Sequence, residues 1–168
     1  ELALLYDFGL PDDIDKVHLQ TLEPYVLLPP GHPSATERAV HLRDLNDLPM
    51  ILLDLPHSAE YFLSVARQGG IRPTVTHRST SYEAVRTLVA NGHGFSILNQ
   101  QPKSPTTYDG QALIHRRIAD VEAGLDLVIA TYHDIRPNPR MAALKALIID
   151  LFAQTSEPAG EGVLKGPA

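Results

Sequence analysis

A chain of 168 residues can form one medium domain or two small ones, and 43% apolar with 20% charged residues is an ordinary globular balance. The absence of cysteine excludes a disulfide framework, thiol catalysis and a cysteine-ligated zinc site, and fits a cytoplasmic protein. The net charge is −6 and the 14 Lys and Arg residues are scattered rather than clustered, so the chain lacks the basic stripe that grips nucleic acid; no apolar run approaches the roughly 20 residues of a membrane helix, and no signal pattern opens it.

In chain order, residues 2–6 form a short apolar run that reads as a buried strand, ended by Asp7-Phe8-Gly9 and Pro11. The polar stretch PDDIDK at 11–16 reads as a loop. Residues 19–28 are strand-like and stop at Pro29-Pro30-Gly31-His32-Pro33, a turn or hinge, because proline fixes φ and bars the preceding residue from helix. One helical turn at 42–47 leads into the next strand.

Residues 49–101 then alternate strand, helix, strand, helix, strand. The run at 50–53 is apolar throughout, as expected of a strand covered on both faces. Ser58 is placed to cap a helix over 59–68, whose Tyr61, Phe62, Val65 and Ala66 form one stripe, and Gly69-Gly70 ends it. A strand at 73–77 follows. Ser79, Thr80 or Ser81 caps a second helix at 81–91, with Ala84, Val85, Leu88 and Val89 on one face. Asn91-Gly92 closes it, and residues 95–98 are the third strand. If the three strands are parallel in the order 2-1-3, their C-terminal ends and both helix starts share one edge, where an open α/β sheet binds small ligands. Gly92-His93-Gly94 is too short to cradle a phosphate and reads as a C-cap turn.

Residues 99–110 form a polar loop ending in the turn Tyr108-Asp109-Gly110. Strands are expected at 113–118 and 125–131. After Pro137 and Pro139, the spacing of Met141, Leu144, Leu147, Ile148, Leu151 and Phe152 gives the clearest amphipathic pattern in the chain. The polar, Gly/Pro-rich tail at 154–168 is expected to be disordered.

These segments in this order, LALLYDFGLPDDI, YVLLPPGHPSA, LDLPHSAEYF, HRSTSYEAVRTLVANGHGFSILN and TYDG, resemble the effector-binding region of LysR-type transcriptional regulators over residues 2–153. The resemblance implies an α/β, type 2 periplasmic-binding-protein-like fold, with a complete Rossmann-like second lobe at 27–127. Residues 1–26 and 128–153 would be pieces of a first lobe, the latter a crossover strand and C-terminal helix. The family's helix-turn-helix, its linker helix and the first half of the first lobe have no counterpart here. The chain is therefore expected to be a C-terminal fragment in which the first strand and the last helix lack packing partners.

The resemblance further implies a small-molecule effector, an organic acid or aromatic compound, bound between the lobes. It implies a homo-oligomer, dimer or tetramer, in the full-length protein, with DNA contacted only through the absent N-terminal part. The helix at 81–91 would supply one side of a dimer contact, with Val85 and Leu88 as candidates. No cofactor is expected.

Candidate effector contacts follow from the helix starts and the sheet edge. A serine at the start of a helix, Ser58, leaves backbone N–H groups aimed into the loop, which favours an anion; the alternative is a cap alone. Among Arg78, Ser79, Thr80 and Ser81 one residue must cap, and Arg78 is placed either to pair with a carboxylate or to remain a solvated charge. Asn99 and Gln101 follow the third strand. Tyr6, Asp7 and Phe8 end the first-lobe strand and would supply a facing wall.

Two rival readings are a bacterial solute-binding protein of the same fold and a small α/β hydrolase using Ser58 with His93 or His57. The second lacks the G-x-S-x-G elbow. None of the eight histidines makes an H-x-x-x-H or H-E-x-x-H pair, so no metal site is expected.

Overall fold

The structure is a computed structural model that describes residues 1–102, 104–134 and 138–155. The expected disordered tail lies almost wholly outside the described residues. Contacts divide the chain into two units: Leu22–Leu125, and Glu1–Thr21 with the described residues from Asp126 onward.

The Leu22–Leu125 unit contains the βαβαβ segment. Strand β1 (Leu2–Tyr6) and strand β2 (Ile14–Leu22) belong to the other unit, and β3 (Tyr25–Leu28), β4 (Ala39–Val40), β5 (Met50–Leu53), β6 (Val75–Ser79), β7 (Ser96–Leu98) and β8 (Ile114–Ile118) build this one. β5 pairs with β6 in parallel, Leu53 opposite Ser79, and on its other side Met50 forms a parallel bridge to Phe95. The order 2-1-3 is thus found around β5. The sheet does not stay parallel, however. β7 pairs with β3 antiparallel, β3 with β8 antiparallel, and β4 with β8 parallel.

The junction between β5 and the third strand depends on Gly94. Its φ is +147°, and a Cβ there would lie 2.1 Å from the Pro49 carbonyl oxygen. That closeness lets Phe95 N donate to Pro49 O at 3.0 Å and Ile51 N to Phe95 O at 2.8 Å. Only glycine fits such an approach at this φ.

Helix α1 (Ser58–Gln68) packs over β5 and β7, and α2 (Tyr82–Ala90) over β3, β5 and β6. Both end as the glycines lead one to expect. Gly70 (φ +79°) and Ile71 close α1, with N–H bonds to Arg67 O and Ala66 O. Gly92 (φ +78°) and His93 close α2, with bonds to Val89 O and Leu88 O. These pairs are Schellman motifs, in which two orphan carbonyls of the last turn are satisfied. Phe62, Val65, Val85, Val89, Phe95, Ile97 and all four residues of β5 are buried in one core.

In the other unit, β9 (Leu125–Tyr132) is the centre of a three-stranded sheet, flanked by β1 and β2. Several expectations are corrected here. The charged stretch at 11–16 is not all loop, because β2 begins at Ile14; Ile14, Val17, Leu19 and Leu22 are half-buried while the residues between them face solvent. Pairing with β9 overrides the local polarity, as is common on an edge strand. The run at 19–28 is two strands, broken at Glu23-Pro24. β1 is only half-buried, with Leu4 48% exposed, because it too is an edge.

Helix α3 (Pro139–Thr155) is apolar nearly all round rather than amphipathic. Leu2 and Thr131 of the sheet and Met141, Ala142 and Ile149 of α3 line a shared open pocket. Leu144, Leu147 and Leu151 are exposed, Leu147 to 65%. Across the sheet, Ala3, Leu5, Ile14, Ala130 and Tyr132 line an open groove of about 420 Å³.

Candidate functional site

β5 and β6 end together. Asp54 N donates to Ser79 O at 2.8 Å just past the last paired residues, so the loops that open α1 and α2 leave the sheet side by side. Residues 99–101 reach the same edge, because β7 continues beyond the Phe95 bridge in the direction of β5. A direct contact fixes this: the Tyr82 hydroxyl, in the first residue of α2, donates to the Gln100 carbonyl.

The two helix starts differ. Ser81 caps α2, its Oγ accepting from Ala84 N at 3.3 Å, and Ser79 Oγ accepts from Ser81 N at 3.1 Å. The cap is thus one of the three residues expected, and Thr80 is exposed beside it. Ser58 does not cap α1. It is the first helical residue, and its hydroxyl donates back to Leu55 O at 3.2 Å. The N-cap position belongs to His57, whose φ is +67° and whose side chain makes no capping bond. The physical reason is the Leu55-Pro56-His57 turn, which places Ser58 N and Ala59 N over Leu55 O and starts the helix one residue early. Among the described residues His57 is the one non-glycine residue with positive φ, a conformation that costs on the order of 1 kcal/mol. Sequence reasoning did not single out His57 for this role; the Pro56-His57 pair ahead of an apolar stripe was the available signal.

Arg78 lies in β6 rather than in the loop, and its guanidinium is 3.4 Å from the Asp54 carboxylate, both side chains exposed. Glu60, the acidic residue of the first turn of α1, pairs with Arg67. Asn99 is half-buried and Gln101 exposed.

A polar layer lies beneath this edge. The Tyr25 hydroxyl is 2.8 Å from that of Tyr82 and donates to Gln100 O at 2.6 Å. Burial, reinforced by the Tyr82 hydroxyl, raises the Tyr25 phenol far above its ordinary range, so it stays protonated. The Tyr25 ring stacks at a tilt on His115, 5.1 Å between centroids. Burial first, then the charges of Arg86 and Arg116, holds the His115 imidazole below its ordinary value. Arg86 is 3% exposed. It donates to Glu83 at 2.8 Å and to the carbonyls of Ser104 and Thr106, while Glu83 accepts from Tyr108 N. This buried ion pair, absent from the sequence-based expectations, ties the loop after residue 101 to α2. A lone arginine on an otherwise apolar helix face was its only trace.

Val85 is fully buried and therefore unavailable as a dimer contact; its place in the stripe facing β5 explains this. Leu88 is half-buried against the same core.

In the other unit, Asp7 is engaged by its own turn. Its carboxylate accepts from Gly9 N and Leu10 N and pairs with Lys16 at 2.9 Å. The bond from Leu10 N, then that from Lys16, holds the carboxyl below its ordinary range. Tyr6 and Phe8 meet edge to face at 6.1 Å, with Phe8 37% exposed. Among the described residues no group of three or more His, Cys, Asp or Glu is arranged to hold a metal, and no helix is long and apolar enough to cross a membrane.

Residues 1–153 match the family described as LysR substrate binding domain. The chain is 28% identical to the HTH-type transcriptional regulator AlsR of Bacillus subtilis (strain 168) over 129 residues, covering 73% of this chain and 41% of AlsR. The curated relatives it matches are more than twice the span aligned here. Among solved structures, the C-terminal domain of a probable LysR family transcriptional regulator from Rhodococcus sp. RHA1 is 32% identical, with a TM-score of 0.82 over 91% of this chain and 74% of that one. The BenM effector binding domain with its effector benzoate, at 19% identity, shares the fold with a TM-score of 0.75 over 94% of this chain and 72% of that one.

Proposed function

This chain belongs to the LysR substrate binding domain family, with that family's type 2 periplasmic-binding-protein-like fold, and we propose that the effector it senses is a small organic anion. The observation that carries this reading is the start of α1. No side chain caps it, and although Ser58 N and Ala59 N fold back on Leu55 O at 3.2 and 3.4 Å, the positive end of the helix dipole there favours an incoming carboxylate. Ser58 sits in that first turn. Arg78 and Ser79 at the end of the paired strand, Thr80 and Ser81 in the turn after it, and Asn99 and Gln101 after the third strand would supply polar groups for orientation. Benzoate, the effector of BenM, is an anion of the kind such an edge accepts. Tyr6, Asp7 and Phe8 remain proposed contacts from the first lobe, although Asp7 is held by Lys16 and its own turn.

We read residues 27–127 as the second lobe, and 1–26 with 128–153 as parts of the first. Effector binding would shift a regulator's assembly, a homodimer or tetramer in the longer protein, and DNA would be read by a part outside this chain. Leu88 is the dimer contact retained. The same reading carries a cytoplasmic location and no catalysis. A hydrolase is not favoured, since the Ser58 hydroxyl proton is directed to the Leu55 carbonyl, and neither is a solute-binding protein, given the regulators it matches.

Calorimetric titration of organic acids into wild type and Ser58→Ala tests the proposal. A several-fold weaker carboxylate affinity in the variant supports it; equal binding removes Ser58 from the site. Turnover of an ester substrate by the intact chain would favour the enzyme reading instead.

A further inference from the structure

Two hydroxyls converge on one backbone atom. The carbonyl oxygen of Gln100 accepts from both the Tyr25 and the Tyr82 hydroxyls, and the two hydroxyl oxygens are themselves 2.8 Å apart. Two phenols supply two protons, so the three contacts cannot all be hydrogen bonds at one instant. The protons share between the carbonyl and the neighbouring phenol oxygen, and the carbonyl keeps a donor in either arrangement.

The placement of the two rings follows from the fold. Tyr25 opens β3 directly opposite Leu98, the last residue of β7, two positions before Gln100. Tyr82 is the first residue of α2, next to the cap Ser81. The triad therefore joins three elements at the point where each meets the candidate edge: the start of β3, the start of α2 and the segment that leaves β7. Gln100 itself is exposed, on a segment that is leaving the sheet.

We propose that Tyr25 and Tyr82 are positioning residues that hold the Asn99–Gln101 backbone to the capped start of α2, so that the two segments present their polar groups to a ligand as one rigid edge. The significance for ligand binding rests on the effector site proposed above; the mechanical link does not. Neither tyrosine need touch the ligand. A pre-set edge binds more tightly than one that must be ordered on binding, because less conformational freedom is lost.

Arg86 and Glu83 fix the same segment further on, at 104–108, through bonds that do not involve the tyrosines. That second attachment supplies an internal control. Removing the Tyr82 hydroxyl should loosen 99–102 and leave 104–108 held.

The test is amide hydrogen exchange on the intact chain, without ligand, for wild type, Tyr82→Phe and Tyr25→Phe. Each variant is expected to exchange on the order of fivefold faster at 99–102, the scale of one lost hydrogen bond, with 84–90 and 104–108 unchanged. Unaltered exchange at 99–102 in both variants overturns the proposal. So does a uniform rise across β3, β7 and α2, which is what a merely structural role produces. Tyr82→Phe is the primary variant because its ring is only half-buried; Tyr25→Phe repeats the measurement from the buried side. Benzoate titrated into the wild type tests the site separately. Its failure to bind counts against the effector reading, and the exchange comparison still decides the tyrosines.

Discussion

The Arg78 guanidinium lies 3.4 Å from the Asp54 carboxylate across the paired ends of β6 and β5, with both side chains open to solvent. An exposed pair at that distance is worth little to stability, between about 0 and 1 kcal/mol. The carboxylate does offset the positive charge of Arg78 at this edge. Asp54→Asn should therefore strengthen carboxylate binding by about threefold to fivefold, the effect fading at high salt, and leave the unfolding midpoint nearly unchanged. Arg78→Gln should weaken binding by a similar factor. Titrations at two ionic strengths check both.

The two helix starts predict different responses to the same substitution. Ser81 Oγ accepts from Ala84 N, so Ser81→Ala should cost about 1 kcal/mol. Ser58 Oγ donates to a loop carbonyl and satisfies no helix N–H, so Ser58→Ala should cost less than about half as much. Urea unfolding of the two variants compares them, and equal losses would contradict the capping assignment.

Gly94→Ala should be far more damaging than a typical glycine substitution. The added methyl would meet the Pro49 carbonyl at 2.1 Å, and backbone cannot rotate away as a side chain can. A loss of at least about 2 kcal/mol is expected, with the bridge between Met50 and Phe95 disturbed. Amide shifts of Ile51 and Phe95 would report the local change.

His115 predicts a pH dependence. Its folded pKa lies below the ordinary 6.5 because burial and two arginines oppose the imidazolium. The unfolded chain therefore takes up the proton first, and stability falls as pH drops from about 6.5 through the folded value. Wild type should lose more stability than His115→Gln between about pH 7 and about pH 5. His133 shifts the opposite way, raised by its bond to Asp15, but it is fully exposed and common to both proteins. Parallel stability curves would contradict the account.

The parts of the fold carried by local chemistry were legible in the sequence. Gly70 and Gly92 end their helices as glycine must, the all-apolar β5 is buried throughout, and the order 2-1-3 follows from a βαβαβ pattern. What was not legible depends on distant partners. Ile14 joins a strand because β9 lies beside it, and the sheet becomes mixed at β7 because its other neighbour is the antiparallel β3. At the site, the positions of Arg78, Ser79 and Asn99 at one edge were readable from strand ends. The left-handed His57, the Asp54 partner and the Tyr25–Tyr82–Gln100 contact were not, since each is set by backbone geometry or by residues many positions apart.

The central claim is that an organic anion binds where the starts of α1 and α2 meet residues 99–101. Amide shift mapping, with benzoate and other small organic acids titrated into the intact chain, tests it most directly. The account predicts saturable shifts centred on residues 57–60, 79–83 and 99–101, weakened in Arg78→Gln. Saturable binding whose shifts fall elsewhere in the chain and leave these three segments untouched would contradict it.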